Sequence, residues 1–288
     1  MKSLLLTGLI TIAVGSVGMT TVAQTDTQTP QTPTATPNQT LPLPLLQAAP
    51  LVQATSKLLG QQSYAISSEV EITSSTNANI AAKARVMTTV AAPNKVKSEI
   101  IIQSPDGSKP EREYKIIADG DRVWIYDKET DRYSIGEYKQ FIQSSEGLAF
   151  GSLAHFYLRT LDTVNSNKIA SRAIAKLPPD RLVKYFQRFA NVDLQNMTIR
   201  NEQIGDTAYS IYDINAADRS YEVTAYVSPL SSNIERIDLI GQQDGLDLLF
   251  VEQITSQATP ESIPADTFTF VPPNDAEQVE SQIRISLF

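Results

Sequence analysis

The chain has 288 residues, 24 basic against 32 acidic side chains for a formal net charge of −8, no cysteine and one histidine. That inventory leaves no room for a disulfide-stapled scaffold, a lipoprotein anchored through an N-terminal cysteine or a multi-histidine metal site, and it weighs against a histidine-based catalytic triad. An acidic surface also repels phosphate backbones, so nucleic acid is not an expected partner.

Residues 1–23 read as an export signal. Lys2 supplies the positive start, residues 4–14 an apolar stretch short for a membrane span, and Thr21-Val22-Ala23 a small-residue cleavage site. Export is therefore expected, with cleavage near Ala23. The alternative is a retained N-terminal anchor, which Gly8, Gly15 and Gly18 weaken. Residues 24–50 are dominated by Thr, Gln and Pro. Such a composition buries too little apolar surface to offset its ordering entropy, which predicts a disordered tether. A folded domain is expected over 51–277 and a short tail over 278–288.

Leu51, Ala54, Thr55, Leu58 and Leu59 recur at helical spacing, with Gly60 as a stop. From Tyr64 the period becomes two. Tyr64, Ile66, Ser68, Val70 and Ile72 share one strand face, and Glu69, Glu71 and Thr73 the other. Ala82, Ala84, Val86, Thr88 and Val90 repeat the pattern, as do Val96, Ser98, Ile100 and Ile102, then Tyr114 and Ile116. Short turns at Ser104-Pro105-Asp106-Gly107 and Asp119-Gly120 make this an antiparallel meander. Over 138–190 the alternation is lost. Ser152 opens a helix carrying Leu153, Phe156, Tyr157 and Leu161, and Pro178-Pro179-Asp180 precede another carrying Leu182, Val183, Phe186 and Phe189. Strands return at 208–214, 221–227, 234–240, 246–254 and 267–271. The predicted class is α+β: a strongly curved antiparallel sheet of about ten strands with helices on one side of it.

No residue set points to catalysis. His155 lies in the middle helical stretch, where a helix-surface or partly buried imidazole is the plain reading. Glu69, Glu71 and Asp238 alternate with apolar neighbours as the wet side of a strand does. Asp119-Gly120-Asp121 is too short for a calcium loop, and no metal site or cofactor is expected. Trp124 and Tyr126 share one face of their strand and Val123 and Ile125 the other, so both faces need a cover. Either both are core, or one face lines a ligand cavity.

Three pieces carry a family resemblance: Ala92-Pro93-Asn94; Asp119-Gly120 leading to Trp124 and Tyr126; and the terminal Phe268, Phe270, Pro272 and Pro273. In this order, behind an export signal, they resemble the LolA/LolB-like periplasmic lipoprotein carriers, and more closely the broad LolA-like group of predicted periplasmic proteins of DUF2092 type. The resemblance implies a periplasmic location and an unclosed half-barrel, covered by helices on its concave side, whose apolar hollow takes acyl chains without covalent chemistry. The candidate lining is Leu58, Ile66, Val70, Ile72, Val86, Ile100, Ile102, Trp124, Tyr126 and Phe156. The implied partners are lipid or lipidated protein, together with membrane-bound loading or receiving proteins. One departure concerns Ala92, which stands where the carriers have an arginine that ties the helical cover to the sheet. The other reading of the same elements is an envelope interaction module with a filled core and no transport role.

Overall fold

The computed structural model describes residues 48–103, 110–166, 181, 197–215, 221–243 and 246–285. Helix α1 (Ala49–Gly60) starts with Pro50 in its first turn, where a missing N–H costs nothing. It buries Val52, Ala54, Thr55, Leu58 and Leu59. Strands β1 (Ser63–Ser74), β2 (Ala81–Ala91), β3 (Lys95–Gln103), β4 (Arg112–Ala118), β5 (Arg122–Asp127) and β6 (Arg132–Glu137) follow as a continuous antiparallel meander. Three helical pieces come next: α2 (Tyr138–Gln143), a 3-10 turn (Ser145–Phe150) and α3 (Ser152–Ser166). A second meander returns through β7 (Thr198–Ile204), β8 (Thr207–Asn215), β9 (Tyr221–Ser228), β10 (Asn233–Gln243) and β11 (Leu246–Ala258), and a short β12 (Glu277–Val279) ends the series.

The two meanders join where β11 pairs antiparallel with β1, giving one unclosed sheet in the order β12-β6-β5-β4-β3-β2-β1-β11-β10-β9-β8-β7. All pairings are antiparallel except β12 with β6. One sheet face carries the alternating apolar residues of the sequence, and α1, α2, the 3-10 turn and α3 pack on it. Val52, Leu58, Tyr138, Phe141, Phe150, Leu153, Tyr157 and Leu161 belong to the same buried cluster as Ile66, Val86, Ile100, Ile125, Tyr212 and Phe250. Helix α1 lies against β9 and β10, and the 3-10 turn against β2. The expected sheet with helices on one face is thus present, with twelve strands among the described residues rather than about ten. The expected helix carrying Leu182 to Phe189 falls outside the described residues.

The end of the chain departs from expectation. Residues 267–271 form no strand; two turn hydrogen bonds, Thr267 N to Pro264 O and Thr269 N to Asp266 O, shape the approach to Pro272. Having passed outside the sheet, the chain adds β12 along β6, and Ile283 donates its N–H to Ser134 Oγ at 2.9 Å on the inner face. Ile283 and Ile285 pack against the main cluster. Residues 264–285 therefore fold around the β6 edge and supply its missing partner, which the alternation of a Phe-x-Phe motif does not foretell.

Candidate functional site

Among its apolar residues the inner face carries an oblique polar row across four strands: Glu252 of β11, Ser68 of β1, Thr88 of β2 and Ser98 of β3, all buried. The row faces the junction between the 3-10 turn and α3. Thr88 Oγ1 donates to the Phe150 carbonyl at 2.8 Å and lies 2.8 Å from Ser98 Oγ. Glu252, 0 % exposed, presents Oε2 to the first turn of α3, where it accepts from Ser152 N at 2.7 Å, from Ser152 Oγ and from Leu153 N at 3.4 Å. A helix start leaves four N–H groups without partners, and here a side chain one hundred residues away fills the place that a local cap residue usually takes. Gly151, at φ +88°, permits the approach: a Cβ there would lie 2.5 Å from Glu252 Oε1. Oε1 itself has no hydrogen-bond partner, and neither do Ser68 Oγ and Tyr64 Oη.

The rings around this row are fully enclosed. Tyr64 and Tyr157 meet edge to face at 4.9 Å, and Tyr157 Oη donates to the Gln61 carbonyl at 2.7 Å. Burial, then the fields of Tyr157, Glu252 and Tyr138, raises the Tyr64 phenol well above its ordinary value. His155 is buried rather than on a helix surface. Its Nε2 lies 2.8 Å from the Ile142 carbonyl and its ring packs on Gly147, where a Cβ would come within 2.8 Å. Desolvation by burial pulls its pKa down to about 4 against the opposing backbone bond, so the neutral ring donates to that carbonyl.

The candidate lining residues separate into two sets. Leu58, Ile66, Val70, Ile72, Val86, Ile100 and Ile102 come together in the inner cluster, each between 2 and 6 % exposed, with Phe156 packed at its margin. Exposure this low means that neighbouring side chains fill the space beside them. Trp124 and Tyr126 do not join this set. On β5 it is Val123, Ile125 and Asp127 that are buried, with Val123 and Ile125 in the inner cluster, which places the two aromatics on the opposite, outer face. There Phe270 stacks on Trp124 at 6.3 Å and contacts Tyr126 at 6.4 Å and Tyr133 at 5.3 Å. Tyr126 Oη donates to Asp131 Oδ1 at 2.6 Å, a bond that pushes its pKa up to about 12. Both faces of β5 are covered, as its sequence requires, but the aromatic one is covered by the C-terminal segment and not by a helix.

The three motif pieces are neighbours in space. Asn94 Nδ2 donates to the Gly120 carbonyl at 3.2 Å, tying the first turn to the second, and Asp119 Oδ1 caps that turn by accepting from Asp121 N and Arg122 N, both at 2.9 Å. Phe270 then ties the third piece to the strand that the second begins. Ala92 packs against the inner cluster, and the pins between helices and sheet stand at Glu252 and Thr88 instead. Sequence reasoning missed Glu252, although a signal existed: it interrupts the apolar alternation Leu248, Phe250, Ile254.

Glu69 and Glu71 lie on the outer face, both exposed. Asp238 is buried there, gripped by Arg236 through two bonds of 2.7 and 2.8 Å and by Tyr226 Oη at 3.1 Å. The Arg236 guanidinium stacks 4.9 Å over the Tyr226 ring. Between α1 and β10, Ala54, Leu58, Leu153, Ile234 and Gln257 line a cleft of ≈ 10 Å³, about the room for one water.

No protein-family model and no curated protein sequence matches the chain. Solved structures similar to it include an uncharacterized conserved protein from Thermus thermophilus, at 10 % identity over 81 % of this chain and 98 % of that one, TM-score 0.39. MucB is similar at 12 % identity over 78 % of this chain and 62 % of that chain, TM-score 0.39. An outer membrane lipoprotein-sorting protein domain from Vibrio parahaemolyticus is similar at 7 % identity over 76 % of this chain and 95 % of that one, TM-score 0.31. Likeness at this level extends to neither ligand nor partner.

Proposed function

We propose that the protein is a non-enzymatic binding module of the periplasm which meets its partners with its surface, around a core that is filled. The observation that carries this reading is the low exposure of the seven inner residues Leu58, Ile66, Val70, Ile72, Val86, Ile100 and Ile102. An acyl chain gains about 0.8 kcal/mol per buried CH₂, but only where it enters space that protein atoms do not already occupy. Tyr64, Phe141, Phe150 and Tyr157 are fully buried in the same cluster as these seven residues. The periplasmic part of the proposal is supported by the signal-like residues 1–23. Catalysis finds no support among the described residues: the one histidine is buried against Gly147 and Ile142, and Glu252 serves a helix end.

A second reading, acyl binding with the helical layer lifted off the sheet, is favoured by one feature. Glu252 Oε1, Ser68 Oγ and Tyr64 Oη are enclosed without partners, and each such group burdens the closed form by about 1–3 kcal/mol. Titration with a fluorescent fatty-acid probe separates the two. The filled-core reading expects no saturable uptake, and saturable uptake displaced by unlabelled fatty acid would overturn it in favour of the second.

A further inference from the structure

The sheet ends differently at its two edges. At one, the three-residue β12, which follows Pro272 and Pro273, covers β6. At the other stands β7, seven residues of sequence TIRNEQI, with neither proline nor lysine and no register shift along its pairing with β8. Among the described residues β8 is its single neighbour, so one row of its backbone N–H and C=O groups points away from the sheet. Edge strands are usually blunted by charged side chains, prolines, bulges or a cover; β7 carries one charge of each sign, Arg200 and Glu202, and the described residues give it no proline, bulge or cover.

We propose that β7 pairs antiparallel with β7 of a second copy of this chain, about a two-fold axis at Asn201, joining two sheets into one. The occupant is identified by charge. In this register Thr198 stands opposite the partner's Ile204, Ile199 opposite the partner's Gln203, and Arg200 opposite the partner's Glu202. By symmetry Glu202 then stands opposite the partner's Arg200. A two-residue slip in either direction sets Arg200 against Arg200 or Glu202 against Glu202, which like charges disfavour directly across a ladder. The strand is thus self-complementary in one register and self-repelling in its neighbours. Arg200 lies on the outer face, where Asp213 of β8 pairs with its guanidinium. Ile199 packs against the inner cluster, which puts Thr198, Arg200, Glu202 and Ile204 together on the outer side. Ile204, a large apolar side chain left exposed, gains cover from the partner's Thr198. Whatever else the module binds, this contact leaves its helical face and the C-terminal wrap free.

The test is sedimentation equilibrium on the full chain. Wild type is expected to be a dimer. Glu202→Arg, which within the chain loses only a 3.6 Å approach to Arg200, places arginines opposite each other and should weaken dimerisation at least tenfold. Arg200→Glu does the same with two glutamates. Mixing the two variants restores opposite charges on both sides and should give a heterodimer. Circular dichroism melts verify that each variant is folded; should Arg200→Glu melt early through its loss of Asp213, Glu202→Arg alone still decides. A monomeric wild type, or a dimer that Glu202→Arg leaves intact, would overturn the proposal.

Discussion

Truncating Glu252 to alanine removes the acceptor shared by Ser152 N, Ser152 Oγ and Leu153 N. Loss of a helix cap alone costs about 0.5–2 kcal/mol. The buried donors left without an acceptor add about 1–3 kcal/mol. The variant recovers part of this, because the partnerless Oε1 disappears with the rest of the carboxyl group. The balance is a destabilisation of about 2 kcal/mol, which for a domain of this size lowers Tm by about 4–8 °C at about 2–4 °C per kcal/mol. Glu252→Gln keeps the volume and an acceptor oxygen, so its loss should be nearer 1 kcal/mol. Urea unfolding with far-ultraviolet circular dichroism measures both, and a cycle with Ser152→Ala should return a coupling energy of about 0.5–3 kcal/mol, as for residues in contact. An alanine variant as stable as wild type, or uncoupled from Ser152, would falsify the assignment of Glu252 as the pin between sheet and helices.

The other predictions address separate parts of the same packing. His155 has its pKa lowered to about 4 in the fold against an ordinary 6.5, so between those values the unfolded chain binds the extra proton and stability falls as pH falls. The loss should reach about 2 kcal/mol between pH 7 and pH 5, measured by urea midpoints at the two pH values, and His155→Gln should flatten that slope. Gly151→Ala forces a side chain into φ +88° and a Cβ to within 2.5 Å of Glu252 Oε1; it should destabilise by about 2 kcal/mol or more in the same assay, and an unchanged midpoint would mean that the junction relaxes freely. Phe270→Ala uncovers Trp124, the one tryptophan of the chain. Its emission should shift to the red and become open to iodide quenching in a protein that remains folded, whereas an unmoved spectrum would show that Phe270 is not the cover.

What was legible in the sequence follows from what period two encodes. Alternation set the correct inward face of β1, β2 and β3 and even carried Ser68, Thr88 and Ser98 onto it, because each of these strands has one wet and one dry side. On β5 both sides are apolar, and alternation cannot say which side faces inward; the bulky aromatic pair looked like a cavity wall and proved to be the outer one. Strand β7 has almost no apolar residue apart from Ile199 and Ile204, so it gave no periodic signal at all. The cap of α3 was illegible for another reason. Ser152 looks like the local cap, yet the acceptor comes from β11, and a contact of that separation leaves no spacing rule behind it. The C-terminal wrap was hidden likewise, since its turns and the three-residue β12 are too short to show a period.

The central claim is that the space between sheet and helices is filled by protein. Native mass spectrometry of the protein purified from the cells that export it tests this most directly. The account predicts a spectrum at the mass of the bare chain, as protomer or dimer, with no adduct released on activation. A stoichiometric adduct of lipid mass, lost as one species when the ion is activated, would contradict it.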